Sequence, residues 1–203
     1  MSKRYYFGIN GVMNDPNSLY GCTDLWEDWI EENTEYQAGK FEYQCGPLLT
    51  KDLYQNARVE KVRIKINRIS SDLYMIGHSN GCDIIQRYVG TSSRKIKELH
   101  LVAAASECDF RKNGYNTAFK ENRVDFIHVY YSKNDKTLEG RFNSKMNGLM
   151  RKIGMGYGTL GYTGPKYVDP LYKDKVILHE WDCKHSEYYN ADNLTKLMNI
   201  IVQ

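Results

Sequence analysis

Short apolar segments rich in β-branched and aromatic residues alternate with longer segments of helical periodicity along most of this chain. Strands are predicted at residues 5–9, 41–45, 73–76, 98–104, 124–131 and 176–181. Strands that alternate with helices in this way usually pair in parallel, and their helices cover the two faces of the sheet. The pattern therefore predicts an α/β fold with about six mainly parallel strands and helices on both faces.

The segments between the predicted strands favour helices. Thr23 is expected to cap a first helix. A second helix is predicted over 51–69. A strand also fits this segment, but the predicted strand at 73–76 follows it immediately and therefore favours a helix here. A third helix runs from Cys82 and ends at Gly90, and a last one covers about 187–202. A long connection from 138 to 175 shows no strand pattern.

Length and composition restrict the class of protein. The chain has 203 residues, of which 41% are hydrophobic and 26% charged, as in folded globular domains rather than disordered chains. We expect a single domain, 1–203. No apolar run approaches the ~18–20 residues of a membrane span, and no signal-peptide segment is recognisable. We therefore expect no transmembrane segment. The expected location is the cytoplasm, or the host cytoplasm if a phage encodes the chain.

Charge and cysteine content favour no nucleic-acid or metal partner. The 28 basic and 25 acidic residues give a net charge of +3, and the densest basic stretch, 58–68, is typical of a solvated helix face. The five cysteines include no CxxC pair and no zinc-type spacing, which indicates free thiols in a reducing compartment. The cysteines are Cys22, Cys45, Cys82, Cys108 and Cys183.

The pentapeptide Gly-His-Ser-Asn-Gly at 77–81 matches the G-x-S-x-G pattern. A predicted strand precedes it and a predicted helix follows it, which is the context that a nucleophile elbow requires. The flanking glycines leave room for a sharp turn that exposes the central hydroxyl. Ser79 is therefore the candidate nucleophile, with the side chain of His78 directed away from it.

A serine nucleophile needs a base to remove its proton. His100, His128 and His179 fall inside predicted strands, where a buried or sheet-facing role is the simpler interpretation. His185 instead follows the last strand, in a loop before the last helix. Open α/β sheets place their sites at the carboxyl ends of strands, so His185 is the candidate base.

The orienting acid should follow another strand between the serine and the histidine. Asp135 comes four residues after the strand 124–131 and is the best candidate. Asp125 lies inside that strand, while Asp169 and Asp174 lie in the long connection. These three are predicted to be surface charges.

The order Ser79, Asp135, His185 at these positions resembles the α/β-hydrolase superfamily over nearly the whole chain. With six strands rather than eight, the chain is similar to minimal lipase- and esterase-like serine hydrolases of bacteria and bacteriophages. The strand 5–9 with Asn10-Gly11-Val12 resembles the third strand and oxyanion loop of that family. Many lipases have His-Gly in this loop, whereas this chain has Asn10-Gly11, so the loop does not indicate an acyl-chain class.

The resemblance implies acyl transfer to water through a Ser-His-Asp triad. Ser79 would attack a carbonyl, His185 would accept the proton, and Asp135 would hold the imidazole. The backbone N–H groups of Val12 and Asn80 would form the oxyanion hole. The implied substrate is a small-molecule or lipid-like ester, and the reaction needs neither a metal nor an organic cofactor.

The connection 138–175 is long enough to line the active site or to cover it. Met150 would form part of an acyl pocket, with Tyr157 and Tyr162 near its mouth. In the alternative interpretation, the apolar residues of this segment pack a short helix against the sheet edge. The residues in question are Met146, Leu149, Met150 and Ile153.

Other functions remain open at this stage. The same triad also supports thioesterase, amidase or acyltransferase chemistry, and a chain of this fold can be a catalytically inactive binding protein. Gly156, Gly158 and Gly161 spell a G-x-G-x-x-G string, but no strand precedes it, so dinucleotide binding is not expected. Nothing in the sequence specifies an oligomeric state.

Overall fold

The computed structural model of the protein describes residues 3–11, 21–43, 51–141 and 158–203, which include a six-stranded sheet. All five strand pairings are parallel, and the order is β2-β1-β3-β4-β5-β6. The expected six-stranded parallel α/β sheet is confirmed. The strands are β1 Arg4–Ile9, β2 Gln37–Phe41, β3 Asp72–His78, β4 Ile96–Val102, β5 Val124–Tyr131 and β6 Val176–Glu180.

Helices cover both faces of this sheet. In chain order they are α1 Cys22–Asn33, α2 Lys51–Ile66, α3 Asn80–Thr91, α4 Gly114–Lys120, α5 Leu160–Thr163 and α6 Ala191–Ile201. One core lies between the sheet and α2, α3 and α4, and a second lies between the opposite face and α1 and α6. No described helix combines the length and the apolar composition needed to cross a membrane.

The central strand β3 is buried on both faces, because helices pack on each side of it. Met75 points into the first core and Ile76 into the second, and both are about fully buried. This explains why β3 reads as a continuous apolar run instead of an alternating one. Burial of each such side chain contributes ~1.5–3 kcal/mol to folding.

Two predicted boundaries near the first strands were wrong. The second strand is Gln37–Phe41 rather than 41–45, because it is an edge strand paired only with β1 and half-buried, so it lacks a strong apolar signal. The first helix is capped at Gly21 rather than Thr23. The Asp24 carboxylate accepts a hydrogen bond from the Gly21 N–H at 2.6 Å, while the Thr23 hydroxyl bonds Glu42.

The later elements also differ from their predicted bounds. The fourth strand is Ile96–Val102 rather than 98–104. The last two residues of the predicted strand instead lie in a turn, in which Ala103 has φ 45°. The predicted last helix is divided into a 3₁₀ turn, Glu187–Tyr189, and α6. The helical interpretation of 51–69, in contrast, is confirmed by α2, Lys51–Ile66.

Gly90 does not end the third helix, which continues through Thr91. It lies instead where α3 packs against α4, a helix that the sequence analysis missed. A Cβ on Gly114 would lie only 2.3 Å from the Gly90 Cα. Both glycines therefore allow two helix backbones to approach closely.

This close approach predicts opposite results for two alanine substitutions. Gly114→Ala should destabilise the fold by about 1–3 kcal/mol, because its methyl group would overlap backbone atoms of α3. Gly90→Ala should be tolerated, because its Cβ would lie 3.4 Å from the Gly114 Cα and alanine favours a helix. Urea denaturation of both variants measures the difference, and equal stabilities would contradict this account.

Candidate active site

Ser79 occupies a strained turn between β3 and α3. Its backbone angles are φ 52° and ψ −117°, in a region that costs a non-glycine residue of order 1–3 kcal/mol. The Ser79 N–H donates to the Val102 carbonyl at 3.0 Å, and the Ser79 carbonyl accepts from the Ala105 N–H at 3.0 Å. Its side chain makes no capping hydrogen bond to α3, so the hydroxyl is left for other chemistry.

The turn is packed too tightly for a side chain on Gly81. A Cβ at Gly81 would lie 2.2 Å from the Ile9 carbonyl oxygen, which is backbone and cannot move aside. The loop after β1 also reaches Ser79, because a Cβ at Gly11 would lie 3.1 Å from the Ser79 Cβ. The motif thus brings the end of β1 beside Ser79, as an oxyanion loop requires.

The side chain of Asn80 faces the second helix. Its Nδ2 donates to the Tyr43 hydroxyl at 2.7 Å, and its Oδ1 accepts from Gln55 Nε2 at 3.4 Å. Gln55 Nε2 also donates to Asp83 at 2.7 Å. Because this buried network holds the Asn80 side chain away from the turn, any contribution of Asn80 to chemistry would come from its backbone N–H.

Asp135 and His185 are in direct contact. His185 Nδ1 lies 2.6 Å from Asp135 Oδ2, and Asp135 is fully buried. Since a carboxylate only accepts, this contact assigns a proton to Nδ1 and leaves Nε2 as the ring nitrogen that can accept one. The other carboxylate oxygen, Oδ1, accepts from the Leu138 N–H at 2.9 Å, so both oxygens of Asp135 are fixed.

The competing acids are engaged elsewhere. Asp125 pairs with Lys95 and Lys97, and Asp169 accepts from the Leu171 N–H at the start of a 3₁₀ turn. Of the acids considered from the sequence, Asp135 is the one that the structure places against His185.

The loops that carry Asp135 and His185 are tied to each other. The buried Ser132 hydroxyl donates to the Cys183 carbonyl at 2.6 Å and accepts from the Asn134 N–H at 3.1 Å. The Trp181 N–H donates to the Tyr131 carbonyl at 2.8 Å. These bonds hold the ends of β5 and β6 in a fixed relation, so Asp135 and His185 keep their contact.

His78 contacts the His185 loop, a role that the sequence did not indicate. Its Nε2 lies 3.2 Å from the His185 carbonyl oxygen, and the two rings have centroids 4.9 Å apart. It also makes an edge contact with Tyr189, at 4.8 Å between centroids. Burial, together with His185, lowers the pKa of His78 well below its ordinary value, so the ring is neutral and Nε2–H donates. His78 therefore places His185 next to the Ser79 turn.

Buried cysteines near this site are poor nucleophiles. Burial raises the pKa of the Cys22 thiol to about 12 and also raises the pKa of Cys82. Only a thiolate attacks efficiently, so both groups are inert at neutral pH. This leaves Ser79 as the candidate nucleophile of the described turn.

Several predicted site residues fall outside the described part of the chain. These are Val12 of the oxyanion loop and, from the long connection, Met146, Leu149, Met150, Ile153 and Tyr157. Tyr162 is described. Its hydroxyl donates to Glu139 at 2.9 Å, and its ring packs on Ala105 and Leu138. Its predicted place at a pocket mouth stays a prediction.

A cleft of about 580 Å³ lies along the β2 edge of the sheet. Its lining includes Tyr5, Gly39, Lys65 and Ser71, near the amino end of β1 and the start of β3. Ser79, Asp135 and His185 are not among its lining residues. This cleft is therefore separate from the candidate site.

A second cluster of titratable groups lies on the α1 and α6 face of the sheet. Glu98, His100 and His128 bring one potential metal-ligating atom each to within 4.8 Å of the others. His179 contacts His128, with Nε2 3.1 Å from Nδ1. Burial lowers the pKa values of His100, His128 and His179, so their rings are neutral. The prediction that these histidines lie in strands is confirmed.

Comparison with solved structures identifies the fold. A protein from Xanthomonas campestris pv. campestris assigned to the alpha/beta superfamily of hydrolases superposes with a TM-score of 0.56 at 10% identity, over 98% of each chain. Esterase PE8 superposes with a TM-score of 0.54 at 9% identity, over 99% of this chain and 92% of that one. The thioesterase domain from the curacin biosynthetic pathway superposes with a TM-score of 0.51 at 12% identity, over 99% of this chain and 91% of that one.

These similarities show that the chain has the α/β-hydrolase fold. No protein-family model and no curated protein matches the sequence. The assignment of the fold therefore depends on backbone geometry, and chemistry must be argued from the site itself.

The Asp135 contacts predict the tautomer of His185. In Asp135→Asn, the carbonyl oxygen must stay at the Oδ1 position to accept from the Leu138 N–H, which turns the new NH₂ group toward His185. The imidazole proton should then move from Nδ1 to Nε2. Nitrogen-15 NMR of the histidine side chains distinguishes the two tautomers. An Nδ1–H tautomer in the variant would contradict the assigned contact.

Proposed function

We propose that the protein is a serine hydrolase that cleaves carboxylic esters through an acyl-enzyme. The observation that carries this proposal is the contact of the buried Asp135 with the partly buried His185, at 2.6 Å, together with the strained turn of Ser79. His78 links the two, because it directly precedes Ser79 and contacts the His185 carbonyl oxygen at 3.2 Å. We assign the roles of nucleophile to Ser79, of base to His185 and of orienting acid to Asp135.

The first half-reaction forms the acyl-enzyme. Ser79 Oγ attacks the ester carbonyl carbon while His185 Nε2 accepts the hydroxyl proton, and Asp135 stabilises the resulting imidazolium. The tetrahedral intermediate collapses, the bond to the alcohol oxygen breaks, and His185 returns the proton to that leaving oxygen. In the second half-reaction, water deprotonated by His185 releases the carboxylic acid and restores Ser79.

The oxyanion would be stabilised by backbone donors. Asn80 is the first residue of α3, and the first N–H groups of a helix have no partner within the helix. The helix dipole adds positive potential at the same end. We assign the second donor to Val12, because the preceding Gly11 lies against the Ser79 turn. Such donors act when they lie about 2.7–3.1 Å from the developing oxyanion.

The second candidate is a thioesterase, because the same geometry attacks a thioester carbonyl. Among the proteins of similar fold, one is described as an esterase and another as a thioesterase domain. Rates on p-nitrophenyl esters and on acyl thioesters of equal chain length decide between the two. The ester proposal requires the larger kcat/KM for the oxygen ester.

Ser79→Ala and His185→Ala should each reduce the hydrolysis of p-nitrophenyl esters by ~10³-fold or more, because each removes a reacting group. Ser92→Ala is the matched control, because Ser92 is a buried serine at the opposite end of α3. It should retain activity. Wild-type turnover by a folded Ser79→Ala variant would exclude this mechanism.

His78 should act as a positioning residue. His78→Phe keeps the aromatic contacts with His185 and Tyr189 but removes the N–H donor. We expect kcat to fall about 5-fold with KM unchanged, since one hydrogen bond contributes about 1 kcal/mol. His78→Gln restores an N–H group and should recover part of that loss. A purely structural role would lower the melting temperature of both variants and leave kcat of the folded protein unchanged.

A further inference from the structure

The histidine cluster on the α1 and α6 face is created by the register of the sheet. His100 of β4 pairs directly with His128 of β5, and Tyr130 pairs with His179 of β6. Glu98 lies two residues before His100, so its side chain emerges on the same face. The parallel pairing brings His128 and His179 from the neighbouring strands to the face on which Glu98 and His100 lie.

The carboxylate lies between the two imidazoles. Glu98 Oε2 is 3.2 Å from His100 Nε2 and 3.6 Å from His128 Nε2. Tetrahedral zinc with bonds of about 2.0–2.2 Å places its nitrogen and oxygen ligands about 3.4 Å apart. The two separations therefore match those of ligands that share one ion.

The outer nitrogens of both rings already have partners. His100 Nδ1 lies 3.1 Å from the Tyr130 hydroxyl, and His128 Nδ1 lies 3.1 Å from His179 Nε2. With a metal bound, a proton on each Nδ1 would satisfy these contacts and leave both Nε2 lone pairs for the ion. Metal-ligating histidines are typically held in this way by a hydrogen bond from their other nitrogen.

The His100 side chain is fully buried, and its Nε2 faces the partly exposed Glu98 carboxylate at 3.2 Å. A carboxylate beside two ring nitrogens is a donor set that suits a cation. Exposed Phe126 and Ile177 lie on the same face, paired with Glu98 and His128, so an ion can enter from solvent.

We propose that Glu98, His100 and His128 bind a divalent transition-metal ion, with zinc as the best fit to the donor set. Two neutral imidazoles and one carboxylate suit zinc better than the hard cations Mg²⁺ and Ca²⁺, which prefer oxygen ligands. Water would complete the coordination. The ion would join β4 to β5, and it takes no part in the hydrolysis proposed above.

The experiment measures zinc binding to the chelator-treated full-length protein by calorimetry, together with its melting temperature. We expect one Zn²⁺ per chain and a higher melting temperature with metal, because an ion that binds the folded state stabilises it. Glu98→Gln and His128→Gln should each weaken binding at least 100-fold. His179→Ala should weaken it 10–100-fold, as the loss of a supporting hydrogen bond does.

Asp125→Asn is the matched control. Asp125 lies on β5 as His128 does, but it pairs with Lys95 and Lys97 and faces the other side of the sheet. Binding by this variant should be unchanged. If His128→Gln fails to fold, Glu98→Gln decides the matter, because its side chain is partly exposed and the substitution keeps its shape.

Co²⁺ gives an independent spectroscopic readout. A four-coordinate nitrogen and oxygen site should give visible absorption without a thiolate charge-transfer band. The proposal is overturned if the wild-type protein binds no Zn²⁺, if Glu98→Gln binds as tightly as wild type, or if the Co²⁺ spectrum shows thiolate ligation. Each result is independent of whether the protein cleaves esters.

Discussion

The strained turn at Ser79 is the constraint on which the rest of the candidate site depends. A non-glycine residue at φ 52° persists only because its surroundings fix it. Hydrogen bonds to Val102 at the end of β4 and to Ala105 after it fix the Ser79 backbone, and the absence of a side chain at Gly81 lets the end of β1 approach. These contacts thus hold the Ser79 turn at the carboxyl end of β3.

The parallel register of the sheet explains both polar sites. At the carboxyl ends of the strands it gathers the segments that follow β5 and β6, so that Asp135 contacts His185, and His78 at the end of β3 contacts the same histidine loop. In the middle of β4 and β5 it places the ring of His100 next to that of His128, with centroids 4.7 Å apart, beside a carboxylate. The first site is built on loops and suits reaction with a substrate. The second is built on strands and suits an ion that holds them together.

The sequence predicted what depends on local pattern. Strand periodicity gave the six-stranded parallel sheet, and the rule that sites follow strand ends singled out Asp135, which the structure places against His185. It missed what depends on pairing between distant segments. The contact of His78 with the His185 loop, the use of Gly90 for helix packing and the histidine cluster all arise from register and packing. No single-sequence period encodes these contacts between distant strands and helices.

Covalent labelling tests the central claim, that Ser79 is activated by His185, most directly. The folded protein is treated with a fluorophosphonate, and the modified residue is identified by peptide mass spectrometry. The account predicts one adduct, on Ser79, that forms far more slowly in His185→Ala. The absence of an adduct on the folded wild-type protein, or an adduct on another residue, would contradict it.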